Sequence, residues 1–315
     1  DRQRELLPVE YFHVIFTLPA ELGALALQNK VVVYNLLFQA TSETLLEAAA
    51  GWKDLKAKIG FFAILHTWGH KLDLHPHLHC VVPGGGISLD GNRWVSCPRG
   101  FLMPVKLLSR IFRGKFLKLL KAAHRRGELT LAGRLQPYDS SVAFNSWLSP
   151  LYAKDWVVYA KPPWKGPEQA LKYLARYTHR VAIANSRLQS IDHGQVTFTY
   201  KDYRHQHRQR TLTLSATEFM RRFMMHVLPN GFMRIRYYGF LANTHRKEQL
   251  RKIRELLDAP QPAIDEKTDD GQEDPDSPDH DHRCPHCQEG LMWPIDMAPR
   301  PRLSQILHLP LLVPT

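Results

Sequence analysis

Apolar and polar positions along the chain predict helices and strands in mixed order. The run YFHVIFTLP is rich in aromatic and β-branched residues and stops at Pro19, which predicts a strand. From Ala20 to about Ala50 apolar residues recur at helical spacing, predicting one helix or two. FFAILHTW and HLHCVVPGGG predict two strands joined by a short polar turn around Gly69 to Asp73, with Gly84-Gly85-Gly86 as a flexible turn. Between Val105 and Arg126, Leu107, Leu108, Ile111, Phe112 and Phe116 share one face and basic residues the other, the pattern of an amphipathic helix. DWVVYAKPPW predicts another strand. Pro167 then opens a predicted helix, PEQALKYLARYTHR, at a position where proline is tolerated.

Further along, RVAIANSR and QVTFTYKDY flank Asp192-His193-Gly194, which predicts a hairpin. Ser215 with Glu218 three residues later predicts a capping-box start for TEFMRRFMMHVL. Pro229-Asn230-Gly231 turns the chain into FMRIRYYGF, and a basic helix, THRKEQLRKIRELL, closes the region. Helices interspersed with hairpin-linked strands predict an α+β fold, helices packed on one central antiparallel sheet. After Leu257 the sequence turns acidic, rich in Pro and Asp and nearly free of large apolar residues, so it is expected to be disordered. The expected organisation is a catalytic domain over 1–258, an acidic linker over 259–283 and a short tail over 284–315.

Charge sharpens this picture. The formal net charge is +12, yet residues 259–283 hold nine acids against Lys267 and Arg283, which leaves +19 on the remainder. A field of that sign favours a polyanion. Basic residues alternate with aromatics in KDYRHQHRQR and FMRIRYYGF, where rings can stack bases. Lys201, Arg234 and Arg236 from these runs are candidate nucleic-acid contacts. No apolar run reaches the ~18 residues that would span a membrane. Four cysteines in 315 residues make no disulfide framework, and a reducing, cytoplasmic setting is expected. The chain opens without Met, which reads as a fragment or mature piece.

Two constellations carry chemistry. In HPHLHCVV, His77 and His79 are two apart on a predicted strand, so both imidazoles face one side and can converge on a metal while Leu78 enters the core. A third ligand is available from His66 on the preceding strand, with His75, Glu168 or Gln169 as substitutes. Tyr173 and Tyr177, in KYLARY, are spaced i, i+4, which sets both phenols on one helical face. Lys172, Arg176, His179 and Arg180 make that helix cationic and attractive to phosphate. A phenol of pKa ~10 is only about 0.1% ionised at pH 7. A divalent ion that polarises the phosphoryl oxygen would therefore assist its attack, giving a covalent phosphotyrosine that conserves bond energy for rejoining. No Gly-x4-Gly-Lys-Ser/Thr loop and no His-Glu-x-x-His is present, so neither ATP use nor a generic zinc hydrolase is expected.

HTWG, HPHLHCVVPGGG, DWVVYAKPP, YLARYTHRVAI, KDY and RIRYYGFLAN, in this order between about Leu6 and Leu257, resemble the two-tyrosine HUH transposases of the insertion sequence 91 group, relatives of the helitrons. The resemblance implies an HUH-endonuclease-like sheet and Mg or Mn held by His77 and His79, with His66 as third ligand. It also implies that Tyr173 and Tyr177 alternate as nucleophiles in rolling-circle transposition. A single DNA strand at the transposon ends or target would be nicked, leaving a 5′-phosphotyrosine and a free 3′-hydroxyl for transfer coupled to the host replication machinery. Imidazole ligands favour Zn or Mn over Mg by general preference. Relatives usually carry an N-terminal cysteine-rich zinc-binding domain, and nothing like it precedes Asp1, so a catalytic fragment is expected. Cys284-Pro285-His286-Cys287 is half a zinc knuckle, which His280 and His282 could complete as a Zn site, with a tail of free thiols as the other reading. Two rival functions remain: a rolling-circle replication initiator with the same chemistry, and a non-catalytic domesticated DNA-binding protein. Conjugative relaxases usually place the tyrosine before the histidine pair, whereas here the tyrosines follow it by about a hundred residues.

Overall fold

The computed structural model describes residues 5–164, 182–202 and 208–261. The first predicted strand forms as β1 (Tyr11–Thr17), and the helical stretch after Pro19 divides into a 3-10 turn, α1 (Gly23–Gln28) and the long α2 (Lys30–Gly51). A two-residue strand, β2 (Ala57–Lys58), leads into the expected hairpin of β3 (Gly60–Trp68) and β4 (Leu74–Pro83). Next come β5 (Gly85–Ser88), β6 (Trp94–Ser96), the amphipathic α3 (Val105–Arg125), α4 (Ser141–Ala153) and β7 (Val158–Trp164). After residue 181 the chain forms β8 (Leu188–Asp192), β9 (Gln195–Asp202), β10 (Arg208–Ser215), α5 (Ala216–Met225), β11 (Ile235–Gly239) and α6 (Arg246–Leu256).

Five strands make the central antiparallel sheet in the order β11-β3-β4-β1-β7. Side chains alternate between its two faces, and paired residues on neighbouring strands share a face. One face carries Phe12, Val14, Phe16, Phe61, Ala63, Leu65, Leu78, Cys80 and Val82, all buried under α2 and α3. Phe112 and Phe116 of α3 reach down to this layer, with the Phe16 and Phe112 rings meeting edge to face at 5.1 Å. Each such buried aromatic removes 150–250 Å² from water and dominates the stabilisation of the layer. At one end of the opposite face Tyr11, Phe62, Ile64 and Val81 pack with Phe240, Leu250 and Ile253. The other end of that face carries polar residues. The architecture is α+β, with helices on one antiparallel sheet, as the patterning predicts.

A smaller sheet, β10-β9-β8, packs with α5 around Phe198, Ala182 and Leu72, with Trp68 against them. Its β8–β9 hairpin turns through His193 and Gly194, both at positive φ (44° and 71°), as a two-residue turn of this handedness requires. Ser215 caps α5 as expected, accepting a bond from the Glu218 N–H at 3.2 Å.

Several expectations shift. Residues 182–187 form no strand; Asn185–Arg187 forms a 3-10 turn and β8 starts at Leu188. Gly84-Gly85-Gly86 is no flexible turn: Gly85 and Gly86 lie in a strand, buried between two neighbours. A Cβ on Gly85 would sit 2.6 Å from the Trp94 ring, and one on Gly86 would sit 2.7 Å from the Lys58 carbonyl. Close backbone approach, not freedom of φ, explains these glycines. The predicted helix from Pro167, the acidic linker (from residue 262 on) and the Cys284/Cys287 tail lie outside the described residues.

Candidate metal centre

The β3–β4 hairpin sets His66 directly opposite His77, and His79 opposite Ile64. All three imidazoles therefore lie on the sheet face opposite the α2 and α3 layer, while Leu78 and Cys80 between and beside them enter the helix-covered core. One ligand nitrogen from each of His66, His77 and His79 lies within 4.8 Å of the other two. Their ring centroids are 4.2 to 5.5 Å apart. Trp68 stacks on His66 at 4.7 Å and closes one side of the cluster.

Burial governs the electrostatics. His66 and His79 are held well below the usual imidazole range, first by desolvation and then by mutual repulsion with neighbouring cationic groups. His77 is half-buried and lowered to about 4, again chiefly by burial. Near neutral pH the three rings are neutral and their lone pairs are free of protons, the state a metal ligand must have. His77 Nδ1 donates to the His75 carbonyl at 2.6 Å, which leaves Nε2 as its basic nitrogen.

His13 on β1, which sequence reasoning passed over, reaches the same cluster. Its Nε2 lies 2.6 Å from His79 Nδ1, with ring centroids 4.9 Å apart and planes within 13°. That geometry is edge to edge, one ring's lone pair along the other's N–H. Burial and the adjacent Lys161 ammonium push His13 down to about 3, so it is neutral and able to accept. With His79 Nδ1 as the donor, Nε2 would be the nitrogen turned to a metal. The only signal in the sequence was a polar residue in an apolar strand, and its meaning depends on the β1–β4 pairing.

The donor set fits a divalent ion. An ion about 2.1 Å from each nitrogen needs those nitrogens some 3–4 Å apart, a closure that small ring rotations supply. His77 and His79 each make a hydrogen bond through Nδ1, the kind of outer contact that metal-binding histidines usually have.

The other candidate residues divide. Arg234 lies beside the cluster: its charge bears on His66, and its carbonyl accepts from the Leu65 N–H at 2.9 Å. Lys201 is exposed on β9, and its charge is felt at His70 near the β3–β4 turn. Arg236 points to the helix-covered face, its guanidinium 4.2 Å above the Phe38 ring and bonded to Asn35 Oδ1 at 2.6 Å. His75 serves through its carbonyl rather than its ring. Tyr173, Tyr177, Lys172, Arg176, His179, Arg180, Glu168 and Gln169 lie outside the described residues. No helix among the described residues is long and apolar enough to cross a membrane.

Three histidines that could hold a metal ion thus lie together on one sheet face of a basic chain. Comparison with known proteins narrows the class. The transposase family described as "Putative transposase" (Y2_Tnp) matches residues 60–249, which include all three histidines. "Putative transposase y4qJ" of Sinorhizobium fredii is 51% identical over 302 residues, covering 94% of this chain and 76% of that protein. The transposase for insertion sequence element IS801 of Pseudomonas savastanoi pv. phaseolicola is 29% identical over 78% of this chain. The chain spans 57% of that relative's length. Among solved structures, the conjugative relaxase TrwC bound to oriT DNA, in its metal-bound form, matches 79% of this chain and 72% of its own at 12% identity and a TM-score of 0.31. A complex of the same relaxase with mutant oriT DNA matches 77% and 72% at 12% identity and a TM-score of 0.27. The chain belongs to the Y2_Tnp transposase family.

Proposed function

We propose that this transposase nicks and rejoins single-stranded DNA by metal-assisted tyrosine attack, as in rolling-circle transposition. The observation that carries the reading is the convergence of His66, His77 and His79 on one face of the sheet. Bound there, Mg or Mn would supply positive charge to a phosphoryl oxygen. Tyr173 and Tyr177 are the nucleophiles. The phenol oxygen forms a bond to phosphorus, the bond from phosphorus to the 3′-oxygen breaks, and that oxygen takes up a proton to become a free 3′-hydroxyl. The 5′ side of the strand stays on the enzyme as phosphotyrosine, and a later 3′-hydroxyl reverses the step to rejoin.

Chain path supports this assignment. β7 ends at Trp164, paired with Tyr11 at one end of the sheet, and the chain is next described at Ala182, in the apolar cluster with Leu72 beyond the other end. In the sequence both tyrosines lie between Trp164 and Ala182. Lys172, Arg176, His179 and Arg180 beside them, with Arg234 and Lys201, are the proposed phosphate contacts, and Arg236 is the exception. The proposed setting is the cytoplasm, on single-stranded transposon ends and target, with host replication extending the 3′-hydroxyl. A Cys284/Cys287 zinc site stays a minor proposal on spacing alone.

The test is cleavage of end-labelled single-stranded oligonucleotides from the element's ends with Mn or Mg. Cleavage by the wild type that disappears with EDTA and in His77→Ala/His79→Ala supports the reading. Cleavage that persists in the double variant contradicts it.

A further inference from the structure

The histidine face of the sheet continues past the histidines to the last strand among the described residues. β7 is the edge strand, and its register places Tyr159 opposite Ile15, which is itself opposite His79. Lys161 is opposite His13 in the same way. The Thr17 N–H donates to the Val157 carbonyl at 3.1 Å, which extends the pairing by one more row, next to His77. Val157, Tyr159 and Lys161 thus alternate onto the histidine face as a strip along its rim.

This strip is unusual for a sheet face. Tyr159 is 52% exposed, and Val157 just before the strand 63% exposed, although the opposite face of β7 is packed under α3. Lys161 is exposed too, and its charge is felt by both His13 and His79. With strands ~4.8 Å apart, Tyr159 lies about 10 Å across the sheet from His79. An exposed ring, a flanking ammonium and the histidine cluster lie together on one sheet face, within the reach of a short stretch of extended strand. Unpaired bases stack on exposed rings whatever their sequence, and the adjoining phosphates seek cations.

We propose that Tyr159 and Lys161 form a single-stranded DNA subsite on the rim of the metal centre, Tyr159 stacking an unpaired base and Lys161 neutralising the phosphate beside it. The inference rests on the reading that the chain acts on single strands. The subsite would hold the strand across the sheet so that a backbone phosphate reaches the histidines. Duplex DNA, whose bases are already stacked, gains nothing from Tyr159.

Fluorescence anisotropy with a labelled single strand and the matching duplex, over a range of salt concentrations, tests the proposal on wild-type protein and on Tyr159→Ala, Tyr159→Phe and Lys161→Ala. Tyr159→Ala should weaken single-strand binding by roughly 5- to 150-fold, with the salt slope and duplex binding unchanged. Tyr159→Phe should bind like wild type. Lys161→Ala should lower the salt slope by about 0.7, the value for one phosphate on a single strand. Tyr159→Ala binding single strands within twofold of wild type, with unchanged circular dichroism, overturns the subsite. Equal losses on single strand and duplex overturn it as well, leaving a simple charge contact. If wild-type protein binds no single strand at all, the functional reading itself fails.

Discussion

His13 Nε2 and His79 Nδ1 lie 2.6 Å apart across the β1–β4 pairing, joining a strand outside the β3–β4 hairpin to one of its three candidate ligands. Most metal-binding histidines are oriented by a carboxylate or a backbone carbonyl. Here a second neutral imidazole takes that place for His79, and the His75 carbonyl takes it for His77.

His13 should therefore matter to the metal without touching it. His13→Leu removes the acceptor and should weaken Mn binding by about 10- to 100-fold, the usual effect of deleting an outer-shell partner. His13→Gln keeps an oxygen acceptor and should recover much of the loss. Mn titration followed by electron paramagnetic resonance reads both. Equal affinity in wild type and His13→Leu would rule out the positioning role.

Metal should also stabilise the fold, because the three histidines converge only in the folded chain. At a free Mn concentration 100 times the dissociation constant, linkage gives about 2.7 kcal/mol. Thermal melts should show a rise in Tm on adding Mn to wild type and none in His77→Ala/His79→Ala. A rise of similar size in both proteins would place the ion elsewhere.

Acid should destabilise the metal-free protein. His13 at about 3 and His77 at about 4 sit below the ordinary value near 6.5, so the unfolded chain takes up protons first as pH falls. Their stabilising contribution is present above about pH 6.5 and is lost as pH drops toward the folded values. At pH 5 the loss is on the order of 1–2 kcal/mol per histidine. Urea midpoints in EDTA should fall between pH 7 and pH 5, and less so in His13→Leu. An unchanged midpoint would contradict the buried, neutral state of the cluster.

The histidine pair was legible because strand periodicity alone puts His77 and His79 on one face, and a short turn brings His66 beside them. α3 was legible from its clear apolar stripe. By contrast, α4 hides behind Pro150 within SVAFNSWLSPLYA, although Ser140 gives its start an ordinary cap at Ala143. β10, RQRTLTLS, was passed over because its sheet is small and most of its side chains are exposed. His13 and the Tyr159–Lys161 strip depend on β1 lying between β4 and β7, a non-local pairing that no local pattern encodes. Gly85 and Gly86 were misread because a glycine run looks the same whether it supplies freedom or close approach. Tyr173 and Tyr177 were proposed from spacing, charge and resemblance, and those grounds still carry them.

The central claim is a phosphotyrosine formed at Tyr173 or Tyr177 with the help of the histidine-bound metal. The direct measurement is a covalent-adduct assay on a denaturing gel, using labelled single strands from the element's ends, with Mn or Mg. Wild type is compared with Tyr173→Phe, Tyr177→Phe, the double tyrosine variant and His77→Ala/His79→Ala. The account predicts a metal-dependent protein–DNA adduct that is lost in the histidine variant and vanishes fully only when both tyrosines are gone. An adduct that survives the double tyrosine variant, or no adduct with any strand despite tight and salt-sensitive binding, would contradict it.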